Sequence, residues 1–277
     1  MNILTFFLFS LSGVDALLLP MSPRGFISFY SKSGGDEGIF YNPAKFEAER
    51  DFKISCFYNI LYVGLRSLSL ALSKETSFGM LGIGITNFDA GNIELHPPYP
   101  TEDTTINYTA SNFSFILCGA RKISSRGRLG INLKYISENI YVYGDYTLAF
   151  DIALSYSNEI RGISLGAANI GSSLTLRNEE VSLPTKLSLG LNQDIKKFKF
   201  GFDLHYLINR GQFESSLSGD FSITKEMAIG IALNRSQRFY PGFNLNLNLS
   251  GLEIKYGGAF YPYDLGLANS LGLSFKF

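Results

Sequence analysis

The chain of 277 residues has no Trp, two Cys, two His and no surplus of either charge. Its 24 Lys and Arg stand against 24 Asp and Glu, so nothing implies nucleic acid or a broadly anionic partner. Cys56 and Cys118 are too few for a disulfide framework. They fall on the first and fourth of the predicted strands, roughly 14 Å apart across three strand spacings and beyond disulfide reach. Two histidines, His96 and His205, give no metal-ligand spacing with them, so no metal or other cofactor is expected. Beyond the N-terminus no apolar run reaches the roughly 18 residues that a helical span needs. The mean hydropathy of +0.09 is likewise far below that of a helical membrane protein. A β-barrel escapes that test, because half of each strand is polar. What is plentiful, 24 Phe, 16 Tyr and 28 Gly, leans towards strands and close packing.

The last eleven residues show what kind of strand. Leu267, Leu271, Leu273, Phe275 and Phe277 share one face, while Ala268, Ser270, Gly272, Ser274 and Lys276 share the other. A greasy outer face over a small or polar inner face suits a closed barrel in a bilayer. Leu273, Phe275 and Phe277 are expected to act as a C-terminal signal for barrel-assembly machinery. The same alternation recurs upstream. Phe243, Leu245, Leu247 and Leu249 interleave with Asn244, Asn246, Asn248 and Ser250; Phe198, Phe200 and Phe202 interleave with Lys199, Gly201 and Asp203. A β-sandwich would carry more charge on one face.

From residue 51 onward the pattern predicts an all-β, transmembrane antiparallel barrel of about fourteen strands, within the known range. The predicted strands are 52–60, 61–73, 78–88, 110–121, 128–138, 147–157, 161–173, 185–195, 198–208, 212–223, 226–235, 242–249, 251–260 and 267–277. Even-numbered connections are short and odd-numbered ones mostly longer, above all 89–109, with 140–146, 174–184, 236–241 and 261–266. The first connection, near Ile60-Leu61, is an exception. Sorting by parity is the mark of an outer-membrane barrel with its short turns on the periplasmic side.

The N-terminus differs. Residues 1–16, through Phe6-Phe7-Leu8-Phe9 to Val14-Asp15-Ala16, fit a secretory signal peptide cut after Ala16, although no Lys or Arg precedes the apolar stretch. Residues 17–50 hold Pro20, Pro23, Gly34-Gly35 and Asn42-Pro43-Ala44 and show little strand periodicity. The segment is either a periplasmic tail or a plug folded into the lumen. The plug is favoured, because about fourteen strands enclose a wide lumen. Inward Gly, Ala and Ser such as Gly162, Ser164, Gly166, Ala168, Gly230 and Ala232 also leave room for backbone. The barrel itself occupies 51–277.

Inward positions also carry Lys134, Asp151, Lys199, Asp203, Glu214, Asp220, Glu253 and Lys255. Charges of both signs in a confined interior must pair or stay hydrated. Lys134, Asp151, Lys199, Asp203, His205 and Asp220 are therefore expected to form a polar lumen network, either fastening the plug or lining a conduit. Asp203 and His205 share a strand face, yet no nucleophile–base–orienter set can be assembled, so an enzyme is not expected. The loop His96-Pro97-Pro98-Tyr99-Pro100 reads as a rigid cover over the mouth. Gly82-Ile83-Gly84 belongs to a strand, not a phosphate loop.

Gly35-Asp36-Glu37-Gly38-Ile39-Phe40-Tyr41-Asn42-Pro43-Ala44 resembles the N-terminal Asn-Pro-Ala motif of the FadL-like barrels, closest to their short PorV/PorQ, or UPF0164, branch. Residues 129–135, 149–154, 162–171 and 183–190 match further family motifs in order. Lys45 departs from the family's usual Gly. The resemblance implies a 14-stranded barrel of the bacterial outer membrane with its N-terminal segment inside, and Asn42, Pro43 and Ala44 as the plug motif. It also implies passage or binding of small hydrophobic compounds such as long-chain fatty acids. The alternatives are a PorV-like accessory of protein secretion or surface attachment, or a structural outer-membrane protein. The partners expected are outer-membrane lipid, the assembly machinery, and a hydrophobic small molecule or exported proteins.

Overall fold

Side-chain alternation decides which way each residue of the sheet points. The computed structural model describes residues 13–27, 30–32, 34–95 and 106–277; the loop at His96 lies outside them. Sixteen strands form among the described residues. They are β1 (Lys53–Ile60), β2 (Arg66–Thr76), β3 (Gly79–Leu95), β4 (Ile106–Lys122), β5 (Gly127–Ile140), β6 (Tyr143–Ser157), β7 (Arg161–Gly171) and β8 (Leu174–Leu176). Then follow β9 (Glu179–Val181), β10 (Lys186–Ile195), β11 (Phe198–Leu207), β12 (Gln212–Ser222), β13 (Met227–Arg235), β14 (Phe239–Leu249), β15 (Leu252–Tyr261) and β16 (Gly266–Lys276). All but β8 and β9 close one antiparallel barrel of fourteen strands. Its seam joins β1 to β16 from Lys53↔Lys276 to Ile60↔Asn269.

The outer surface is apolar: Leu133, Leu148, Ile231 and Leu217 are all more than half exposed. Aromatic pairs occur towards both ends. Tyr135 stacks on Tyr146 at 5.6 Å and Tyr206 meets Phe213 at 4.7 Å towards one rim. Phe198 meets Phe221 at 4.9 Å towards the other. Inner positions such as Ala268, Ser270 and Ser274 are buried. Among the described residues no helix is long and apolar enough to cross a membrane. Cys56 and Cys118 lie on β1 and β4 and are free thiols.

Connections sort by end. Turns at 77–78, 123–126, 158–160, 196–197, 223–226 and 250–251 lie at one end. Several are fixed by a polar side chain in the turn. Ser124 Oγ accepts from Gly127 N at 2.8 Å, and Asn158 Oδ1 from Arg161 N at 2.7 Å. These are the local bonds that Ser and Asn offer at turns.

The sequence reading needs correction at the other end. The second strand begins at Arg66, not residue 61, because Val63 (φ 57°) and Gly64 (φ 77°) turn left-handed. The first connection is therefore a five-residue loop, 61–65, and the exception to parity moves to the two-residue turn Tyr141-Val142. Strands β3 to β6 run further than predicted. The expected loop 140–146 shrinks to Tyr141-Val142, with Tyr141 at φ 58°. Of the expected loop 89–109, residues 89–95 and 106–109 are strand, and β3 is carried past residue 89 by a bulge at Ala90-Gly91 with Gly91 at φ 68°. Residues 174–184 fold back as the β8–β9 hairpin over Arg177 and Asn178, both at positive φ, as a two-residue hairpin turn requires.

The segment from Gly13 to Arg50 runs inside the ring. Short 3-10 turns at Gly13–Leu18, Pro23–Phe26, Gly35–Glu37 and Pro43–Lys45, and one helical turn Gly38–Tyr41, carry it from the long-loop end to the short-turn end. At the first end Val14 and Leu17 pack with Ile136, Leu174 and Leu183, and Asp15 pairs with Arg210. At the second, Glu47 meets Arg128 at 2.8 Å and Glu49 meets Lys276 at 2.7 Å. The segment then enters β1.

Candidate functional site

The lumen is shared between this segment and the wall, and small wall residues set how close they come. A Cβ on Gly130 would fall on Pro43 and the Ala44 nitrogen, and one on Gly242 would fall on the Phe26 carbonyl oxygen. A Cβ on Gly190 would stand 2.8 Å from Ser31 Cα. Glycine is required here for backbone to lie against strand.

Side chains from the wall then take the polar groups of the segment. Asp203 on β11 accepts from the backbone N–H of Tyr30 at 3.0 Å and of Ser31 at 2.7 Å. Asn132 on β5 donates to the Ile39 carbonyl at 2.9 Å, Asn234 on β13 to the Phe26 carbonyl at 2.9 Å, and Ser216 on β12 to the Ile27 carbonyl at 3.1 Å. An aperiodic strand of chain in a buried space must satisfy its backbone this way. Within the segment, Asn42 caps the turn Pro43–Lys45. Its side-chain oxygen accepts from Ala44 N at 3.1 Å, its amide donates to the Tyr30 carbonyl at 3.0 Å, and Pro43 takes the first helical position. Ala44 is fully buried, and its carbonyl accepts from Ser155 at 3.3 Å. Tyr41 accepts from Met21 N and Ser22 N at 2.8 and 2.9 Å, and burial raises its hydroxyl pKa.

Two charged groups stand out. Near the short-turn end Asp36 and Glu37, both buried, meet Lys53 of β1 and Lys255 of β15. Asp36 lies 3.3 Å from Lys53, and Glu37 lies 3.4 Å from Lys255. Glu253 joins both lysines, at 2.9 and 3.4 Å. Burial alone would raise the Asp36 carboxyl, but Lys255 and Lys53 overcome it and hold it at about 2. The second group is on β5–β7. Asp151 pairs with Lys134 at 2.7 Å and accepts from the Asn169 backbone at 2.8 Å. Asn169 sits at φ 57° in a bulge where two residues of β7 face one of β6, so the carboxylate caps the bulge.

The sequence-predicted residues are therefore distributed rather than gathered in one cluster. Lys134 and Asp151 form one pair and Asp203 grips the segment. Asp220 meets Lys32 of the segment at 3.3 Å. The Lys199 side chain stands exposed at the rim, 4.0 Å from Asp194, although its carbonyl accepts from Lys32 at 2.7 Å. His205 bonds through Nδ1 to Ser188 Oγ at 2.8 Å beneath the Tyr30 ring. Asp203 is taken up by Tyr30 and Ser31. Leu273, Phe275 and Phe277 all face outward.

Opposite the polar wall lies an apolar strip. Met80, Ala120 and Cys118 near the short-turn end continue through Ile116, Ala71 and Phe57 to Phe88, Ala268, Tyr240 and Leu61 near the other. The segment covers it with Met21, Phe26, Ile39, Phe40, Tyr41 and Phe46. A cavity of about 980 Å³ opens at the short-turn end, lined by charges of both signs including Arg24, Lys45, Glu47 and Lys53.

Ring, threaded segment and strip together can be set beside solved structures. The Pseudomonas putida toluene transporter TodX superposes with a TM-score of 0.70 at 9% identity, over 94% of this chain and 99% of that one. The Ralstonia pickettii toluene transporter TbuX does so with 0.68 at 8%, again over 94% and 99%. The likeness is one of fold. No family model and no curated protein matches the sequence.

Sequence reasoning missed Asp36, Glu37 and Lys53, and the wall amides Asn132, Asn169 and Asn234. A signal existed for some: Lys53 and Ser55 share the inward parity of β1, and an acidic pair in an aperiodic segment calls for buried cations.

Proposed function

We propose that the protein lets small hydrophobic compounds, such as long-chain fatty acids or monoaromatic hydrocarbons, cross a bacterial outer membrane. The observation that carries this reading is the apolar strip running the height of the lumen between β1–β4, β14–β16 and the segment. An apolar solute can exchange with Ile39, Phe40 and Phe46 as the segment gives way, because these side chains are held against the strip by packing. In this reading residues 17–50 are the plug, and Asn42, Pro43 and Ala44 are its buried turn. The toluene transporters of like fold lend support. The test is uptake of radiolabelled oleate and toluene by proteoliposomes. Ile116→Asn, which places an amide in the strip, should cut uptake at least severalfold while leaving heat-modifiable mobility unchanged. Uptake equal to empty liposomes would end the proposal.

A second reading, a PorV-type accessory for exported proteins, draws on Val63, Tyr141 and Val142, apolar residues exposed on the connections at the long-loop end. A stoichiometric protein partner co-purifying from the native membrane, with no apolar small molecule, would favour it.

A further inference from the structure

The lipid-facing wall is not evenly covered. Gly119 on β4 points outward between Leu81 of β3 and Ile131 of β5, its two cross-strand partners. Nothing lies within 4 Å of where its Cβ would be. The dent widens into a groove of about 450 Å³, with Leu117, Leu129 and Leu133 on its flanks. That is about fifteen times the ~30 Å³ a water occupies in the liquid, room for a hydrocarbon chain. Two residues along the same face, roughly 7 Å towards the short-turn end, stands Arg121. It is exposed, it is the charged residue of the groove lining, and it makes no hydrogen bond or ion pair with described residues. Exposed Lys122 follows it in sequence, and no Asp or Glu lines the groove. Phe78, in the neighbouring turn and 81% exposed, marks the depth of the interface.

We infer that this groove is a binding site for an anionic phospholipid of the leaflet on the short-turn side. One acyl chain lies over Gly119 and the phosphate sits against Arg121. Apolar lining alone would accept any lipid chain. The guanidinium at the level of the headgroup is what selects charge, since Arg pairs with phosphate through two parallel N–H donors. The site lies outside the barrel and does not rest on the proposed passage of hydrophobic compounds.

Native mass spectrometry of the full chain in mild detergent, titrated with phosphatidylglycerol or phosphatidylcholine, tests it. The wild type should retain one phosphatidylglycerol with about tenfold preference, the scale of a charge-assisted contact. Gly119→Phe, which fills the groove with a residue that strands favour, should lower retention of both lipids. Arg121→Gln should leave retention of phosphatidylcholine as it is and erase the preference. Equal retention of the two lipids by the wild type overturns the proposal. So does undiminished phosphatidylglycerol binding by a Gly119→Phe protein that keeps its heat-modifiable mobility. Competition by oleate alone would instead make the groove a port for the transported compound and would also refute a phospholipid site.

Discussion

Gly130→Val tests the plug without touching it. The added side chain enters the space of Pro43 and Ala44, so either the segment moves or the strand distorts. Valine favours a strand, and Gly130 pairs with Ala120 and Ala153, small neighbours on both sides. The strain therefore falls on the segment. Overpacking of this kind costs about 1–3 kcal/mol, which raises the population of the displaced segment by about 5- to 150-fold. Asp203→Asn adds to it by weakening the two bonds at Tyr30 and Ser31, each worth about 1.5–3 kcal/mol to a charged acceptor. The sites grip different stretches of chain, so their effects should be roughly additive. Single-channel recording in planar bilayers reads the outcome as time spent in a conducting state. Gly219→Val is the control, because Gly219 faces outward and its nearest neighbour is the Phe200 ring at 3.9 Å. Gly130→Val and the double variant should open far more often than wild type, and Gly219→Val should not. Identical quiet traces from all four, with each protein folded, would refute the view that the wall glycines hold a plug in place.

Acid should loosen the segment at its lower end. Asp36 lies below its ordinary value of 3.8, at about 2, so its stabilisation is present above pH 4 and is lost as pH falls through 2. The effect is on the order of 2–3 kcal/mol, read as added proteolysis of residues 34–50 at pH 2–3, and Asp36→Asn should remove the dependence. On the lipid face Leu133→Arg should destabilise the barrel by about 2–4 kcal/mol in a reversible urea titration in liposomes; a change under ~0.5 kcal/mol would argue against lipid contact there. Deleting Phe277 should lower the fraction of heat-modifiable protein in the outer membrane. An undiminished fraction would remove that residue from the assembly signal.

Period-two alternation was enough to find the barrel, since a side chain's face is a local property that the bilayer and the lumen both enforce. Strand ends at the long-loop rim were less legible. Residues 61–65 read as strand until the left-handed Val63 and Gly64 are seen, and 143–146 read as loop although β6 already begins at Tyr143. The candidate site divides the same way. Lys134, Asp151 and Asp203 could be placed inside by parity, and Asn42 by its motif. Their partners could not, because Tyr30, Ser31 and Ile39 lie in a segment without period, where contact depends on the path of the chain. Lys199 shows the limit: its parity is inward, but at a rim the side chain turns to water.

The ion pairs around Asp36 have a consequence for how the ring is made. Every neighbouring pair of strands but one forms between stretches close in sequence, and β1–β16 must join residues more than 200 apart. Bringing such distant ends together costs about 5 kcal/mol in chain entropy before any contact is made. Lys53 comes from one side of that join, Lys255 and Glu253 from the strand next to the other side, and Asp36 and Glu37 lie across it. The inner segment is thus a clasp on the closure, and a nascent sheet that has not yet wrapped around it lacks the catch that keeps the cylinder shut.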